Sequence, residues 1–576
     1  MAMSRDGVDR RDFLKAAGGA TAAASIAGCT GNGDDGGGGG GQTLIYARGA
    51  HGVPIDPQQT TSGEVAKVTN QVFDTLIKFE PGSGGVLVDG LATEYGLEGT
   101  TASLTLRENV SFHNGEEFTA DDFVATYRRF VDESYDYYLG TNASGYGPFT
   151  LGNWIESVEA SGDYELTIGL NQQYAPFLRN LAMFATAVLS KKQIESLGEA
   201  PSTSGGDGTP AEDNPQANLG STEALPVGTG PFEAEEIDNT NETITLTAND
   251  DYFNPGPNAG GVVFKKIKKS STRASEIVNG DSHITDNTDS QSSQQIDNAD
   301  SATLVRKDGI NIGYMAFNMA RKEEFRDRRV RRAVQYAVNT KAIVDNIYQG
   351  FAAQADQPLP PDVLGYNESL DPYPHDPEKA QSLLEEAGAS DLSFELATFT
   401  NNRGYNPSPA TTANQVKSDL GEIGVEVSIN QFSQFSSKYI PYVYDGKHDA
   451  AFLGWYTDNA DPDNFLFVLL DPGVDIEDVP DGQDWVSRDT DGYSSSNISA
   501  WANTEFMEKV RQGQKSYDEA ERKNLYEEAS RIAHDESPWV FVDYADSLRG
   551  LNEAIDAESY PISSVGGPFL NRVQFS

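Results

Sequence analysis

The chain has 576 residues and a formal net charge of −46, from 42 basic and 88 acidic residues. This charge repels nucleic acid and anionic membranes, so nucleic acid is excluded as a partner. In dilute salt it destabilises the compact state, but at 1 M salt a Debye length of about 3 Å screens the repulsion. The acidic residues are spread along the chain, which predicts a halophilic protein. Hydrophobic residues (38%) suffice for roughly two to three domains.

The chain begins with the pattern of an export signal. Arg10 and Arg11, followed by Asp-Phe-Leu-Lys, stand before a mild apolar run over 16–28. The run is too short to cross a bilayer of about 30 Å. The paired arginines resemble a twin-arginine signal, which implies export of a folded protein. Residues 1–28 are therefore predicted to be a signal peptide, and a disordered basic terminus is the alternative.

Cys29 is the only cysteine of the chain and follows Ile-Ala-Gly. This sequence resembles the lipoprotein processing box, in which the signal is cut before the cysteine and the thiol then carries lipid. The mature chain has no other thiol for disulfides or thiolate metal sites. The Gly-rich residues 29–41 are predicted to be a flexible tether, with Cys29 as the membrane anchor.

Strand-like and helical patterns alternate from residue 43 to 200, and strand patterns resume at 243. Strand patterns occur at three places, 103–106, 243–247 and 262–267. Thr119, followed three residues later by Asp122, makes a variant capping box, which predicts a helix from about Ala120. The stretch from 201 to 224 is rich in Gly, Pro, Ser and acidic residues and is predicted to be a surface loop.

The second half also alternates. Apolar residues recur at helical spacing over 330–338. Asp376 and the proline after it are predicted to begin a helix that ends at Gly388. Ser516 with Glu519 is predicted to cap a long helix. Strand patterns occur at 425–429 and 539–542, so the chain as a whole is predicted to be an α/β protein.

Four separated segments carry a family resemblance. They are Leu104–Asp122, Pro226–Phe232, Phe325–Gly350 and Asp376–Gly388. The first contains Arg-Glu-Asn-Val-Ser-Phe-His-Asn-Gly-Glu-Glu-Phe-Thr-Ala-Asp-Asp, and the second reads Pro-Val-Gly-Thr-Gly-Pro-Phe. Together they resemble the solute-binding proteins, family 5, of peptide-type ABC importers, which bind dipeptides, oligopeptides or nickel complexes. The resemblance runs in order from about residue 43 to the C-terminus and is close to the dipeptide-binding proteins.

The resemblance implies an α/β fold with two lobes, like that of periplasmic binding proteins of type II. It further implies the large peptide-binding class with an extra subdomain, and a chain that crosses the hinge twice. The implied bounds are 42–309 plus 546–576 for lobe I, about 80–225 for the extra subdomain within it, and 310–545 for lobe II.

Two segments bear on the ligand. The first, Gly454–Phe465, resembles the segment from which dipeptide receptors present an aspartate to the α-ammonium group of the ligand. Position for position, that aspartate is Asp458. Trp455, close to this charge, is a candidate wall of the ligand cleft.

The second segment, Asn402–Pro407, resembles the one that presents an arginine to the terminal carboxylate of the ligand. The matching residue is Arg403, and Tyr405 beside it is a second candidate cleft wall. The chain departs from the pattern at Gly404, where dipeptide receptors tend to have proline.

A site of this kind suits a free dipeptide, whose ends carry opposite charges. Burying either end without a partner costs several kcal/mol. A carboxylate such as Asp458 and a guanidinium such as Arg403 satisfy both ends and leave the side chains free. The residues alone leave other roles open, because Asp458 stands among turn formers and fits a turn or helix cap. Arg403 alone fits a solvated surface arginine, and Trp455 and Tyr405 fit core aromatics.

The predicted function is that of an extracytoplasmic, lipid-anchored receptor that captures dipeptides or short oligopeptides and delivers them to an ABC permease driven by ATPase subunits. The protein is predicted to be a monomer without enzymatic activity, cofactor or metal. Its six histidines show no H-E-x-x-H spacing, and the chain has no G-x-S-x-G elbow or P-loop. A receptor for nickel or another small solute is the alternative, and a secreted hydrolase is a more distant one.

Overall fold

The computed structural model of the chain describes residues 41–199 and 214–576. The predicted signal peptide, the lipidation of Cys29 and most of the tether lie outside these residues. Much of the predicted 201–224 loop lies outside them as well. Within the described ranges, no helix combines the length and the apolar character that crossing a membrane requires.

The strands occur throughout the described chain. They are β1 (Thr43–Arg48), β2 (Ile77–Phe79), β3 (Leu87–Asp89), β4 (Ala92–Glu98), β5 (Thr101–Leu106), β6 (Ile155–Gly162), β7 (Glu165–Leu170), β8 (Phe232–Asp238), β9 (Thr243–Ala248), β10 (Gly261–Lys266), β11 (Ile284–Asp286), β12 (Ala302–Lys307), β13 (Asn311–Phe317), β14 (Ala352–Gln354), β15 (Ser393–Phe399), β16 (Glu426–Phe432), β17 (Ala450–Tyr456), β18 (Trp539–Ala545) and β19 (Ser547–Asn552). The predicted strands correspond to β5, β9, β10, β16 and β18.

Helices alternate with these strands. They are α1 (Gly63–Val72), α2 (Ala120–Val131), α3 (Phe177–Asn180), α4 (Lys191–Leu197), α5 (Ser270–Asn279), α6 (Ser290–Asp297), α7 (Arg328–Ala337), α8 (Thr340–Ala342), α9 (Pro377–Ala387), α10 (Pro409–Glu422), α11 (Ile440–Tyr444), α12 (Asp463–Leu470), α13 (Thr504–Lys515) and α14 (Glu519–Glu536). The predicted mixed α/β class is confirmed.

Helix boundaries with local signals agree with the sequence. The backbone N–H of Thr119 donates to Oδ2 of Asp122 at 2.9 Å, which completes the capping box at the start of α2. Asp376 accepts a backbone hydrogen bond at the start of α9, and Gly388 ends that helix with a left-handed φ of 71°. Glycine adopts this conformation without steric cost.

The predicted cap of the long helix α14 is wrong by two residues. Ser516 follows the last residue of α13, and Asp518 is the residue whose carboxylate accepts the backbone N–H of Glu521, at 3.0 Å. Ser516 and Asp518 each stand three residues before a glutamate, so both fit the same local pattern. The path of the chain out of α13 decides between them.

Two large sheets organise the fold. The first has seven strands in the order β12-β19-β11-β1-β10-β9-β8, and the second has six in the order β14-β18-β13-β17-β15-β16. A third sheet of four strands, β4-β5-β7-β6, comes from residues 92–170. The first sheet draws its strands from 43–48, 232–307 and 547–552, whereas the second uses only residues 311–545.

Strand directions in the second sheet place several strand ends together. β15 and β17 pair in parallel, β17 and β18 each pair antiparallel with β13, and β18 is therefore parallel to β17. The carboxyl ends of β15, β17 and β18 consequently meet at one edge of the sheet. In open α/β sheets, ligands bind in the crevice outside the carboxyl ends of the strands.

Candidate ligand-binding site

Asp458 and Arg403 lie in loops that leave the same sheet edge. Asp458 stands two residues beyond the end of β17, and Arg403 stands four beyond the end of the neighbouring parallel strand β15. Tyr405 and Tyr456 connect the two loops, because their ring centroids are 5.9 Å apart. The structure therefore brings the two predicted charges to one side of the second sheet.

The turn after β17 is built by the neighbours of Asp458. The side chains of Thr457, Asn459 and Asp461 each accept a hydrogen bond from a backbone N–H two or three residues ahead, at 2.7 to 3.0 Å. The carboxylate of Asp458 caps no backbone N–H in the part of the chain that the structure describes. The turn or cap role left open by the sequence thus belongs to these three residues.

Asp458 as a whole residue is half-buried, and its carboxyl lies in poorly hydrated surroundings. Burial raises its pKa to about 7, although a hydrogen bond from the Tyr146 hydroxyl favours the ionised form. Among the described residues, no lysine, arginine or histidine is within ion-pair distance of it. A cationic group entering this space would therefore stabilise the carboxylate.

Asn464 fixes the two residues predicted from this segment. Its Oδ1 atom accepts from the backbone N–H of Asp458 at 3.0 Å and from the indole Nε1 of Trp455 at 2.8 Å. Trp455 is half-buried, so one side of its ring remains available as a wall. The backbone of Asp458 and the indole of Trp455 are thus held by one side chain.

The rest of this segment is anchored inside the protein. Asp461 accepts two hydrogen bonds from one guanidinium nitrogen of Arg522, at 2.8 and 3.0 Å. Asp463 accepts from the Tyr174 hydroxyl at 2.9 Å and from Gln514 at 2.6 Å. Burial, and then the charge of Asp461, raises the pKa of Asp463 to about 7. These two carboxylates are therefore bound by several protein groups, whereas Asp458 has the Tyr146 hydroxyl and no cationic partner among the described residues.

Arg403 occupies a different environment. Its guanidinium carbon lies 3.8 Å from the centroid of the Phe435 ring, and its backbone exchanges two hydrogen bonds with Asn406, each 3.0 Å long. Nε of Arg403 is buried, and its N–H donates to no acceptor among the described residues. These residues also place no carboxylate within ion-pair distance of the guanidinium. The stacked guanidinium keeps donors for an incoming carboxylate.

Tyr405 packs onto the second sheet where two neighbouring strands have glycine instead of a side chain. Gly313 of β13 and Gly454 of β17 are directly opposite each other. A methyl group at either position would collide with Tyr405, with its ring at Gly454 and its carbonyl oxygen at Gly313. The glycine pair therefore permits the close approach of Tyr405, whose buried side chain has a pKa raised to about 12.

The first sheet contributes charges that sequence reasoning missed. Arg549 of β19 pairs across the sheet with Asp286, and both act electrostatically on Tyr456 of the second sheet. Oδ2 of Asp286 lies 2.6 Å from Nζ of Lys67. Burial opposes ionisation of Asp286, but Lys67 and Arg549 hold its pKa below the usual range. Charged groups of the first sheet thus lie near Tyr456, at the end of the strand that leads to Asp458.

A groove of about 450 Å³ opens beside Arg403. Its lining comes from 289–291, 346–347, Gln349, Thr400, Asn402 and 407–411, so the groove flanks Arg403 without including it. The Asn402 side chain reaches from one side of the groove to Asp289, at 3.4 Å. Space for further parts of a ligand is therefore present next to the proposed carboxylate anchor.

Local patterns mark only some of these residues. Asn464 lies within the segment that carries the family resemblance, so its role was within reach of the sequence. Tyr146, Asp286 and Arg549 come from distant parts of the chain, and no spacing in the sequence brings them to Asp458 or Tyr456.

The two large sheets and the helices between them define a mixed α/β protein. Residues 87–475 match the family described as Bacterial extracellular solute-binding proteins, family 5 Middle. The chain therefore belongs to this family of solute-binding proteins of ABC importers. Residues 7–27 match the twin-arginine translocation signal, which confirms that prediction for the N-terminus.

Individual relatives cover nearly the whole chain. The dipeptide-binding protein of Escherichia coli (strain K12) is 26% identical over 545 residues, which are 91% of this chain and 93% of the relative. Heme-binding protein A of Haemophilus influenzae is 28% identical over 529 residues, or 89% of each protein. The family is thus shared by proteins named for different ligands.

Solved structures give the same picture of the fold. The binding protein DppA from Helicobacter pylori, in complex with the peptide STSA, is 28% identical with a TM-score of 0.75 and covers 93% of this chain and 98% of its own. The dipeptide-binding protein from Pseudoalteromonas sp. SM9913, in complex with Met-Leu, is 25% identical with a TM-score of 0.76 and covers 93% and 100%. The two-lobed architecture predicted from the sequence is confirmed.

Proposed function

We propose that the protein is a receptor that captures dipeptides or short oligopeptides and delivers them to an ABC permease. The observation that carries the proposal is the pair of charges at one sheet edge, Asp458 and Arg403, which have no ion-pair partner in the described residues. The names of the relatives that bind dipeptides support the same ligand class.

In this proposal the peptide lies between the loops after β15 and β17. Its α-ammonium group binds the Asp458 carboxylate, and its terminal carboxylate binds the Arg403 guanidinium. Trp455, which is half-buried, is a wall of the cleft and contacts the peptide without reading its sequence. Tyr405, predicted as a second wall, is buried and supports the loop of Arg403 instead. The site then recognises charged ends at a given separation and tolerates many side chains.

The capture movement is closure of two lobes, lobe I over 42–309 and 546–576 and lobe II over 310–545. Support comes from the strand order, since the first sheet uses strands on both sides of 310–545 and the second uses only that range. The chain would then cross the hinge twice, near 309 and near 546. A ligand shifts this equilibrium only as far as it binds the closed form better.

The proposed location is the outer face of the cell membrane, with a lipid on Cys29 and the tether up to residue 41. The twin-arginine match supports export of a folded chain. One acyl chain alone gives marginal attachment, so a second chain or the permease would be needed for stable anchoring. Anchoring keeps the receptor beside its transporter.

A ligand screen tests the proposed function. The chain lacking residues 1–41, in molar KCl, would be heated with dipeptides, tripeptides, longer peptides, Ni²⁺ and sugars. We expect dipeptides or tripeptides to raise the melting temperature most, because only they satisfy both charges. Stabilisation by nickel or a sugar, with none by peptides, would contradict the proposal.

We further propose that the protein is halophilic. With 88 acidic against 42 basic residues, the chain should lose structure below about 1 M salt, because the repulsion is then unscreened. Circular dichroism against KCl concentration measures this. An unchanged fold in dilute buffer would contradict salt adaptation without affecting the ligand.

A further inference from the structure

Asp543 is a buried carboxyl group at the edge of the second sheet where β15, β17 and β18 end. It belongs to the end of β18, and its side chain is completely inaccessible to solvent. Opposite β13, Gly313 pairs with Asp543 and Tyr314 pairs with Phe541, so β18 has one extra residue at this point. Such a bulge re-aims the side chains beside it and is frequent next to binding sites.

The bulge directs Asp543 at the segment that carries Arg403. A Cβ atom on Gly313 would lie 2.6 Å from the carbonyl oxygen of Tyr405 and would also collide with Oδ1 of Asp543. Oδ1 of Asp543 and the Tyr405 carbonyl oxygen thus border the same small space, around the point that a Cβ atom on Gly313 would occupy. Neither oxygen of Asp543 accepts a hydrogen bond, and within the described ranges no donor reaches the Tyr405 carbonyl.

Two acceptors that meet without a donor repel each other unless a proton or a cation lies between them. The groups acting on Asp543 offer no cation. Tyr348 and Tyr456 face it with neutral hydroxyls, and the nearby charge is the carboxylate of Asp546, which pairs with Arg306. Burial, and then Asp546, holds the pKa of Asp543 well above its usual range. The acid form is therefore the form that fits this place.

We propose that Asp543 is a positioning residue of the ligand cleft: its protonated carboxyl donates a hydrogen bond to the Tyr405 carbonyl and thereby holds the segment that presents Arg403. The inference concerns the fixed placement of 403–406 and rests on the proposed function for the role of Arg403. The other fixed points of that segment are the Arg403–Asn406 backbone pair and the Tyr405 ring against Gly454.

Two substitutions of Asp543 separate the explanations. Asp543→Asn keeps a donor of nearly the same shape, whereas Asp543→Ala removes it. In the full-length protein we expect Asp543→Ala to weaken binding of a free dipeptide about tenfold, the effect of one lost hydrogen bond. The dipeptide amide, which has no terminal carboxylate, should bind both variants like the wild type, and Asp543→Asn should bind the free dipeptide within about twofold of the wild type.

The pH dependence gives a readout that loss of packing would not change. Because the folded pKa of Asp543 is raised, the ionised form costs stability, and the contact is lost as the pH rises through that pKa. Hydrogen exchange of the ligand-free protein should show 403–406 losing protection toward alkaline pH in the wild type but not in Asp543→Asn. This comparison needs no ligand, so it distinguishes failure of the inference from failure of the proposed function.

Three results would overturn the inference. One is Asp543→Ala with unchanged protection of 403–406 and unchanged affinity. Another is a loss of affinity in Asp543→Ala that is equal for the free dipeptide and for its amide. The third combines two observations: Asp543→Asn loses as much dipeptide affinity as Asp543→Ala, and the hydrogen-exchange protection of 403–406 in the wild type depends on K⁺ at constant ionic strength. Together they would place a cation, rather than a proton, between the two oxygens.

Discussion

The two loops that hold the proposed ligand ends are built differently. The segment 457–463 has hydrogen bonds within its own turn. Two acidic residues near Asp458 are also bound by other parts of the protein, Asp461 by Arg522 and Asp463 by Tyr174 and Gln514. The segment 401–407 has the Arg403–Asn406 backbone pair, the buried Tyr405 ring packed against Gly454, and a long hydrogen bond of 3.4 Å from Asn402 to Asp289. The backbones of both loops are thus held in place, and the difference lies in the side chain of Arg403, whose guanidinium stacks on Phe435 and has no ion-pair partner among the described residues.

This difference suggests a division of roles. A carboxylate on a rigid loop fixes the ammonium end of every peptide at the same place, because its position does not adapt. A guanidinium that is held by one aromatic stack at the end of a long side chain can follow the carboxylate of ligands that differ in length or side chain. The groove beside Arg403 gives such ligands room. The rigid end should therefore contribute more affinity, and the adjustable end more tolerance.

The largest effect is expected at Asp458. Asp458→Ala should weaken binding of a free dipeptide about a hundredfold, because the buried ammonium loses its charged partner. Isothermal titration in molar KCl measures the change. The N-acetylated dipeptide should bind the wild type and the variant equally, and Asp481→Ala, which removes an exposed carboxylate, is the matched control. Equal losses for the free and acetylated peptides would remove the ammonium role.

Affinity should also depend on pH through Asp458. The folded pKa is raised from 3.8 to about 7, so the ligand-free carboxyl holds a proton between these values. The ammonium group drives that proton off, and affinity should therefore rise about tenfold per pH unit up to about pH 7. Titrations of the wild type and Asp458→Asn measure this, and only the wild type should show the slope. A flat wild-type profile between pH 5 and about 7 would contradict the raised pKa.

A smaller effect is expected at the adjustable end. Arg403→Ala should weaken binding of a free dipeptide about tenfold, since the loop can offer other donors to the carboxylate. The dipeptide amide should bind the variant and the wild type alike, and Arg403→Lys should restore part of the loss. Competition with a labelled peptide measures these ratios. A loss as large as that of Asp458→Ala would mean that the guanidinium is held as firmly as the Asp458 carboxylate.

The smallest effect concerns the restraints on the rigid loop. Tyr174→Phe removes the hydroxyl that donates to Asp463 and should lower the free energy of unfolding by about 1 kcal/mol. Urea unfolding in molar KCl measures it. Tyr517→Phe is the control, because its hydroxyl donates to Gly99 at an exposed site. If both substitutions cost the same, the buried network around Asp463 does not hold the segment.

Sequence patterns predicted what is decided locally. The caps at Thr119 and Asp376 depend on residues three positions apart, and the structure has both. Ser516 and Asp518 show the limit of this approach, because two overlapping patterns compete and the path of the preceding helix selects one.

The site was predictable only where a family resemblance marked it. Position in a known segment pointed to Asp458 and Arg403, and the strand order then explains why the two loops share one edge. The environment of Asp458 depends on Tyr146, more than three hundred residues away in sequence, and that of Asp543 on a bulge that no composition signal marks. Contacts between distant segments of this kind come from tertiary structure alone.

The central claim is that the ammonium end of a peptide is held more firmly than its carboxylate end. Titration of the wild-type protein with one dipeptide, its N-acetylated form and its C-terminal amide tests this claim without any substitution. Acetylation should cost about tenfold more affinity than amidation, because it removes the charge that pairs with the rigid Asp458. Equal costs, or a larger cost for amidation, would contradict the account.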